Sequence, residues 1–364
     1  MLTAFTSMND IIGKEFFAWV FRGEVQPAQR LLLLSKDPTT VQGTRRSIDD
    51  FRGDFHSLAS VVQQSWAENS QQGLCYSAEF LESFLTAPGA SMSLAPALYE
   101  NDVLIGFVSG FARRVHFKGH PLNLITSSFL SVLPKYKKSG YGVVLWSELV
   151  KRAREQGFDG MLNFCVDGEP MNRIVEGCCR RLQLSVKRIF SVRYMASVLK
   201  SGAFGEDLAP SSSNAPNDFL ELAAPLLLSQ PLSRRWAIEE AEWQCARREG
   251  GVFAHTSEGT RRGILTGYIL PILDRHSTKC LLVEDVLWNE LAPEERLQLL
   301  RRFLAQAVSQ GAQMATVPNL GYADLLPFKK LRFLPVRRVL HCYLTLFRSD
   351  LILENLPSMY LDVF

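Results

Sequence analysis

Apolar residues between positions 41 and 196 follow two different periods, which predict a succession of strands and helices. Spacings of three and four residues predict helices, whereas short apolar runs bounded by turn residues predict strands. The predicted strands are residues 41–47, 93–99, 103–111, 115–117, 122–132, 161–166 and 186–195, and the predicted helices are residues 49–66, 78–85, 142–156 and 170–181. Lys118-Gly119-His120 fits a hairpin turn, and Gly157 ends the helix of residues 142–156.

The second half of the chain repeats this succession in weaker form. Its predicted strands are residues 251–254, 263–273, 279–288, 315–318 and 336–347, and its predicted helices are residues 293–310 and 322–331. In both halves a strand, a long helix closed by glycine, a strand, a short helix and a strand follow one another. We interpret this order as an internal duplication of one architecture.

One segment without apolar periodicity separates the two halves. Residues 200–217 are rich in Gly, Ser, Ala and Pro, and this composition predicts a linker. The predicted organisation is an N-terminal extension (residues 1–40), a first domain (41–199), the linker (200–217), a second domain (218–348) and a C-terminal tail (349–364). A chain of 364 residues agrees with two domains.

Composition narrows the classes of function. With 40 Lys and Arg against 37 Asp and Glu, the net charge of +3 is too mild to indicate a DNA partner, although a local basic groove remains compatible with it. The seven cysteines are scattered and include no Cys-x-x-Cys pair, so we expect neither disulfides nor structural zinc, and a cytoplasmic location. No apolar run approaches the ~20 residues of a membrane span, which predicts no integral membrane segment. The oligomeric state stays open.

The segment Ser127–Gly142 carries the most chemical information. An apolar strand leads through Pro134 into a basic loop, and a helix follows. Gly140 and Gly142 let the backbone approach a ligand, and the helix N-terminus adds partial positive charge. We therefore predict that this segment, called the anion cradle below, binds a pyrophosphate. The bland alternative is a helix-start turn with solvated lysines. A dinucleotide G-x-G-x-x-G fingerprint and a P-loop are both absent.

The motif Val132-x-Pro134-x-Tyr136-Lys137-x-x-Gly140-x-Gly142 closely resembles the acyl-CoA pyrophosphate loop of the GNAT superfamily of N-acyltransferases. That family's pattern is V-x-P-x-[YF]-[RQ]-x-x-G-x-[GA], so Lys137 replaces the usual Arg or Gln. The resemblance covers residues 41–196. It implies an α+β fold with tandem GNAT-like units, the second degenerate, each with a central mixed, mostly antiparallel sheet flanked by helices.

The resemblance also implies the cofactor-binding residues. The backbone of Leu130, Ser131 and Val132 would pair with the pantetheine arm. Asn172 would contact the cofactor, with a polar helix-start residue as the alternative. The pyrophosphate would be held by Lys137, Lys138, Ser139, Gly140, Tyr141 and Gly142. The implied co-substrate is acetyl-CoA or another acyl-CoA, and no metal is implied.

The catalytic residues depart from the family pattern. Seven residues after Asn172, where many family members carry a Tyr that protonates the leaving thiolate, this chain has Cys179. A thiol can donate a proton, but a buried cysteine more commonly serves packing. The expected strand carboxylate is also missing from residues 126–128, and His116 and His120 are weaker candidate bases. Asp167 and Glu169, beside the expected acyl site, are the better placed pair, with a polar turn as the alternative.

The second half lacks an anion cradle. Residues 289–295 contain no Gly-x-Gly and are acidic, so they would repel a pyrophosphate and serve as an ordinary helix start. We expect this half to form one wall of an acceptor pocket. Glu284 and Asp285 lie on its apolar strand, where they would either bind an acceptor amine or face solvent.

Together these features predict an N-acyltransferase that moves an acyl group, with acetyl as the first expectation, from acyl-CoA to a primary amine by direct attack. The acceptor is expected to be a small-molecule or peptide amine. One alternative is a non-catalytic acyl-CoA-binding or regulatory module. Another is an aminoacyl-tRNA-dependent transferase, which the scattered Arg pairs leave open although no aromatic-interleaved RNA motif supports it.

Overall fold

The computed structural model describes residues 45–67, 73–200, 202, 204, 215–246, 249–258, 261–272, 278–347 and 351–363. Ile48–Phe364 forms one compact unit. The strands are β1 (Arg46–Asp50), β2 (Pro96–Glu100), β3 (Val103–Phe117), β4 (His120–Val132), β5 (Gly160–Val166), β6 (Ser185–Val198), β7 (Leu232–Arg234), β8 (Gly251–Glu258), β9 (Arg261–Pro271), β10 (Lys279–Leu287), β11 (Met314–Asn319) and β12 (Leu334–Leu346).

Helices accompany these strands along the chain. The α-helices are α1 (Phe55–Ala67), α2 (Ala78–Leu85), α3 (Tyr141–Glu155), α4 (Pro170–Arg181), α5 (Ala215–Ala223), α6 (Leu226–Ser229), α7 (Ile238–Cys245), α8 (Pro293–Ser309) and α9 (Leu326–Lys330). Short 3₁₀ helices span Met92–Leu94 and Pro134–Ser139. Among the described residues, no helix has the length and apolar character needed to cross a membrane.

A single sheet runs through both halves of the sequence. Its strand order is β1-β2-β3-β4-β5-β12-β6-β11-β10-β9-β8, and β7 pairs with β3. The pairs β4–β5 and β10–β11 are parallel, whereas β12 is antiparallel to both β5 and β6. The predicted class, a mixed αβ fold with a mostly antiparallel sheet flanked by helices, is confirmed.

The two halves exchange their last strands. Each half contains a strand, a helix, a parallel strand, a helix and a third strand: β4-α3-β5-α4-β6 in the first and β10-α8-β11-α9-β12 in the second. The third strand of each half lies beside the second strand of the other, because β12 pairs with β5 and β6 pairs with β11. The predicted duplication is therefore present, and the two copies share their backbone hydrogen bonding.

Helices of the first half also pack on strands of the second. One buried cluster includes Phe80 and Phe84 of α2, Phe129 of β4, Tyr268 of β9 and Leu282 of β10. The ring centroids of Phe80 and Tyr268 are 5.4 Å apart. Burial of such apolar and aromatic surface favours the folded state by about 25 cal/mol per Å². The core of the first half is thus completed by the second.

The predicted domain boundaries stay predictions. Residues 1–40 lie outside the described residues, as does most of the predicted linker, although its last residues 215–217 begin α5. The predicted tail is part of the packed structure: the Tyr360 amide donates to the Leu232 carbonyl, and the Arg234 amide donates to the Tyr360 carbonyl, each at 2.8 Å. Met359 is fully buried.

The periodicity of apolar residues predicted most of the helices and strands but missed some. The helices at 78–85 and 170–181 begin and end as predicted. The helix predicted from residue 49 begins at Phe55, because residues 46–50 are a strand. Helix α7 was not predicted, since Glu240 and Gln244 are two of its three buried residues and give no apolar period.

Candidate functional site

The strands β4 and β5 separate from each other at one end. They pair only from Leu124 to Ser127 and from Gly160 to Asn163, although β4 continues to Val132 and β5 to Val166. Asn163 marks the last pair, where its Oδ1 accepts hydrogen bonds from Ser127 Oγ at 2.7 Å and Trp146 Nε1 at 2.9 Å. A parallel ladder that stops in this way opens a gap into which an extended ligand can insert.

A β-bulge bends β4 beside this gap. The pairing with β3 jumps from Ser128 opposite Ser109 to Ser131 opposite Phe107. Phe129 has a φ of 58°, in the left-handed region that residues other than glycine rarely adopt. Such bulges often redirect backbone groups next to active sites. Sequence patterning had treated the strand as regular and did not predict the bulge.

The end of α1 contacts the strand segment that the resemblance assigns to pantetheine. The Val132 amide donates to Ser65 Oγ at 3.2 Å, and Trp66 Nε1 donates to the Leu130 carbonyl at 3.4 Å. Lys137 Nζ donates to the Ser65 carbonyl at 2.6 Å. Ser65 and Trp66 are therefore candidate site residues that the sequence interpretation missed, because only the fold brings α1 to β4. A ligand arm that pairs with β4 must share or replace these two bonds.

The predicted anion cradle lies at the start of α3. Pro134–Ser139 form a 3₁₀ helix, and Gly140 at the helix N-cap has a left-handed φ of 78° and supplies no side-chain cap. A Cβ at Gly142 would meet no heavy atom within 4 Å. An uncapped helix N-terminus beside two glycines fits an anionic group. Lys138 and Ser139 are exposed next to it.

The matching position in the second half is filled by the chain itself. At the start of α8, the Ala292 amide donates to Glu295 Oε2 at 2.7 Å, and Pro293 occupies the first turn. This bond and the Arg261 guanidinium hold the pKa of Glu295 below its usual value. A carboxylate therefore caps this helix where α3 offers its N-terminus to an anion, as the acidic sequence predicted.

Asn172 ties the end of β5 to the start of α4. Its Nδ2 donates to the Val166 carbonyl at 2.6 Å and to the Glu169 carbonyl at 3.0 Å. Its buried Oδ1 has no hydrogen-bond partner among the described residues. The side chain thus stabilises the helix start and keeps one acceptor atom available, and its contact with a cofactor stays a prediction.

Cys179 lies on the buried side of α4. Its Sγ is 3.5 Å from Thr345 Oγ1 on β12, a strand of the second half. Burial raises the pKa of the Cys179 thiol to about 11. The thiol therefore stays protonated at neutral pH, and its predicted catalytic role stays a prediction.

Asp167 belongs to a hydrogen-bonded relay that the sequence could not indicate. Its Oδ1 is 3.2 Å from His341 Nε2, and His341 Nδ1 is 3.0 Å from Ser191 Oγ. The Asp167 side chain is 69% exposed at the open end of β5. Glu169 follows at the N-cap of α4. His341 was missed because it is 174 positions from Asp167.

The other two candidate bases lie elsewhere. His116 pairs with Pro121, and His120 pairs with Phe117, beside the β3–β4 turn. That turn is at the opposite end of the hairpin from the bulge at Phe129. Neither histidine is therefore brought to the gap between β4 and β5.

Comparison with known proteins defines the class of this site. Residues 57–174 match the model of the acetyltransferase (GNAT) family, a segment that runs from α1 to within α4 and includes the cradle. The predicted resemblance is confirmed: residues 57–174 carry a domain of the acetyltransferase (GNAT) family. The chain has no significant match among curated protein sequences.

Two solved structures share the fold of nearly the whole chain. Both are N-myristoyltransferase from Saccharomyces cerevisiae with bound myristoyl-CoA. One has a TM-score of 0.69 and 13% identity over 86% of this chain and 82% of its own. The other has a TM-score of 0.68 and 12% identity over 90% of this chain and 87% of its own. The similarity extends through both halves of the chain, in agreement with the predicted tandem fold.

Proposed function

We propose that the protein transfers an acyl group from acyl-CoA to a primary amine by direct attack. One observation carries the proposal: the uncapped N-terminus of α3, with Gly140 and Gly142, lies next to the gap between β4 and β5. This juxtaposition suits a ligand with an anionic end and an extended arm. The GNAT class of the domain agrees with it.

The proposed mechanism depends mainly on positioning. The donor supplies an activated thioester. The backbone of Leu130 and Val132 orients the arm beside β4, and amides near the bulge at Phe129 stabilise the developing oxyanion. Asp167, joined to His341, is the best placed group to accept a proton from the amine, since its carboxylate is exposed at the open end of β5. Glu169 is the second candidate.

The length of the acyl group has two candidates. We propose acetyl first, because the family model that matches residues 57–174 describes acetyltransferases. A long chain is the second candidate, since the structural relatives bind myristoyl-CoA. Release of free CoA thiol from acetyl-CoA, octanoyl-CoA and myristoyl-CoA with a common set of amines distinguishes the two.

A charge placed in the cradle tests the donor site. Gly142→Glu puts a carboxylate at the start of α3, in open space, where it favours the helix by up to about 1 kcal/mol and repels a pyrophosphate. We expect intact folding and a loss of acyl-CoA binding by calorimetry. Gly177→Glu is the matched control, since Gly177 lies in α4 and also has no heavy atom near its Cβ position.

The same measurements separate the alternatives. Acyl-CoA binding without CoA release from any amine would favour a non-catalytic module. Failure to bind any CoA species, together with RNA binding of steep salt dependence, would favour an aminoacyl-tRNA-dependent transferase. Unchanged acyl-CoA binding in Gly142→Glu would reject the cradle as the pyrophosphate site.

A further inference from the structure

A patch of exposed residues lies at one end of the β6–β12 ladder. Pro335 of β12 pairs with Met195 of β6, and the next pair is Val339 with Arg193. β12 therefore advances by four residues where β6 advances by two, and residues 336–338 bulge out of the ladder. Because β12 is antiparallel to β5, the bulge lies at the end of the sheet where the gap between β4 and β5 opens.

Two aliphatic side chains beside the bulge are exposed on the same face of the sheet. Leu334 lies opposite Ala196, and Val198 follows Ala196 by two residues. The alternation of side chains along a strand therefore makes Leu334 and Val198 diagonal neighbours on one face. Leu334 is 68% exposed, Val198 is 66% exposed, and Val336 in the bulge is 37% exposed. These three side chains present apolar surface to solvent at one place.

The charged residues in the two segments that carry these side chains are all basic. Residues 196–200 and 329–338 include no Asp or Glu. Six basic residues lie in them, and all are exposed: Lys200, Lys329, Lys330, Arg332, Arg337 and Arg338. Together they carry a formal charge of +6, although the net charge of the whole chain is +3. In the part of the chain that the structure describes, no salt bridge neutralises any of the six.

Contacts between the two segments join them into one surface. Ser197 Oγ donates to the Leu331 carbonyl at 3.4 Å, which holds the end of β6 against the turn between α9 and β12. In that turn the Arg332 amide donates to the Lys329 carbonyl at 3.0 Å, and Phe333 anchors the turn in the core. We use the name basic patch for the six basic residues together with Leu334, Val336 and Val198.

Other exposed aliphatic residues lack these basic neighbours. Leu228 is 92% exposed, but residues 222–231 around it carry no charge. Ile352 is 78% exposed and lies two residues from Glu354. Single exposed aliphatic residues are common on protein surfaces. The combination of aliphatic and basic side chains therefore distinguishes the basic patch.

An anionic membrane surface offers both kinds of contact that this patch can make. Its headgroups attract Lys and Arg, and the boundary of its acyl region accepts aliphatic side chains. A nucleic acid would attract the same charges, but single strands are commonly held by aromatic side chains that stack on the bases. The exposed apolar residues of the patch are aliphatic. The chemistry of the patch therefore favours lipid.

We propose that the basic patch docks the protein on an anionic membrane surface. The Lys and Arg side chains contact the headgroups, and the three aliphatic side chains insert between them. Because the patch lies at the end of the sheet where the gap opens, docking holds that end of the protein close to the membrane. The inference goes beyond the proposed function and does not depend on acyl transfer.

Cosedimentation with vesicles tests this inference, with phosphatidylcholine vesicles compared with vesicles that also contain phosphatidylserine. We expect binding to the anionic vesicles that falls as salt is added, because salt screens exposed charges. The double variant Arg337→Gln and Arg338→Gln should bind about 25-fold more weakly, since each basic residue near an anionic surface contributes roughly fivefold. Leu334→Ser should weaken binding at every salt concentration.

Matched controls remove the same groups away from the basic patch. The double variant Arg180→Gln and Arg181→Gln removes two exposed arginines at the end of α4, just before β6 begins at the opposite end of the β6–β12 ladder. Leu228→Ser removes an exposed leucine from α6. Both controls should bind the anionic vesicles as the wild type does. All these changes are at exposed positions, and circular dichroism checks that each variant is folded.

Several results would overturn the proposal. The first is a wild-type protein that does not bind the anionic vesicles, or binds neutral ones equally well. The second is an equal loss of binding in the patch variants and in their controls. The third is a single-stranded oligoribonucleotide that binds more tightly than the vesicles and is lost with Arg337 and Arg338. Vesicle binding without CoA release from any amine would keep the membrane surface and reject the transferase.

Discussion

Asn163 is the residue at which the site opens, because it joins β4, β5 and α3 at the last pair before the strands separate. Its Oδ1 accepts from both Ser127 Oγ and Trp146 Nε1, and the side chain is 99% buried. A single polar atom thus accepts from the buried Trp146 Nε1 and from the hydroxyl of the partly buried Ser127. The sequence shows an Asn within an apolar strand but does not indicate which donors it meets.

Asn163→Ala should lower the free energy of unfolding by about 1–3 kcal/mol, because the buried Trp146 Nε1 and the partly buried Ser127 Oγ lose their acceptor. Urea denaturation of the variant against the wild type measures this change. Ser127→Ala, which removes one donor and leaves the Trp146 bond, should cost less. Equal costs for the two variants would mean that Asn163 does not act as the shared acceptor.

Cys179→Ala should leave kcat nearly unchanged and lower the free energy of unfolding by about 1 kcal/mol, since the thiol is fully buried against Thr345. Because burial raises the pKa of the Cys179 thiol to about 11, Cys179 in the folded protein should also resist alkylation by iodoacetamide at pH 8. Peptide mass spectrometry reads the alkylation. A large loss of kcat in Cys179→Ala that is absent from Cys179→Ser would instead support the hypothesis that residue 179 donates a proton.

At the scale of elements, the anion cradle depends both on the local sequence of its loop and on a contact between its loop and the distant helix α1. The loop from Pro134 to Gly142 was predictable, because a left-handed glycine and a helix start depend on neighbours in the chain. The bond from Lys137 to the Ser65 carbonyl spans 72 positions and needed the fold. That bond attaches the loop to the end of α1.

Lys137→Met should loosen this attachment. If the loop holds the donor as proposed, the variant should raise the KM for acyl-CoA and leave kcat largely unchanged, because the loop would position the donor without touching the reacting atoms. Steady-state release of CoA thiol at varied acyl-CoA measures both constants. Lys138→Met is the matched control, since Lys138 is exposed on the same loop. A larger effect at Lys138 would indicate that charge near the phosphates matters more than the attachment to α1.

At the scale of the whole molecule, the exchange of β6 and β12 makes each half depend on the other. β5 has β12 as its neighbour, and β6 lies between β12 and β11. If the halves were separated, these strands would lose their neighbours, and the unpaired backbone groups at the new sheet edges would promote aggregation. The exchange explains why the tandem organisation was visible in the order of elements whereas the single sheet was not.

A fragment of residues 41–199 should therefore fail to fold alone, because it would leave β6 without both of its neighbours. Circular dichroism and size-exclusion chromatography of the fragment test this. Co-expression with residues 200–364 should restore a particle of the full mass. When the intact protein is cleaved at a protease site within residues 205–214, the two pieces should stay together as a particle of the same mass. A monomeric fragment with cooperative unfolding would contradict this dependence.

The amino-acid sequence by itself determined most of the succession of strands and helices, the duplication, and the loop and helix start of the predicted anion cradle, and through that motif the resemblance to the GNAT family. Each of these depends on residues close together in the chain, where periodicity and backbone preference are decisive. The tertiary structure alone decided the strand exchange, the contacts of Ser65 and His341, and the burial of the two carboxylates of β10, which therefore do not face solvent. Arg113 and Asp362, for example, pair across 249 positions. No local preference encodes such a pair, because the two residues meet only in the fold, where their attraction has to offset the cost of removing water from both charges.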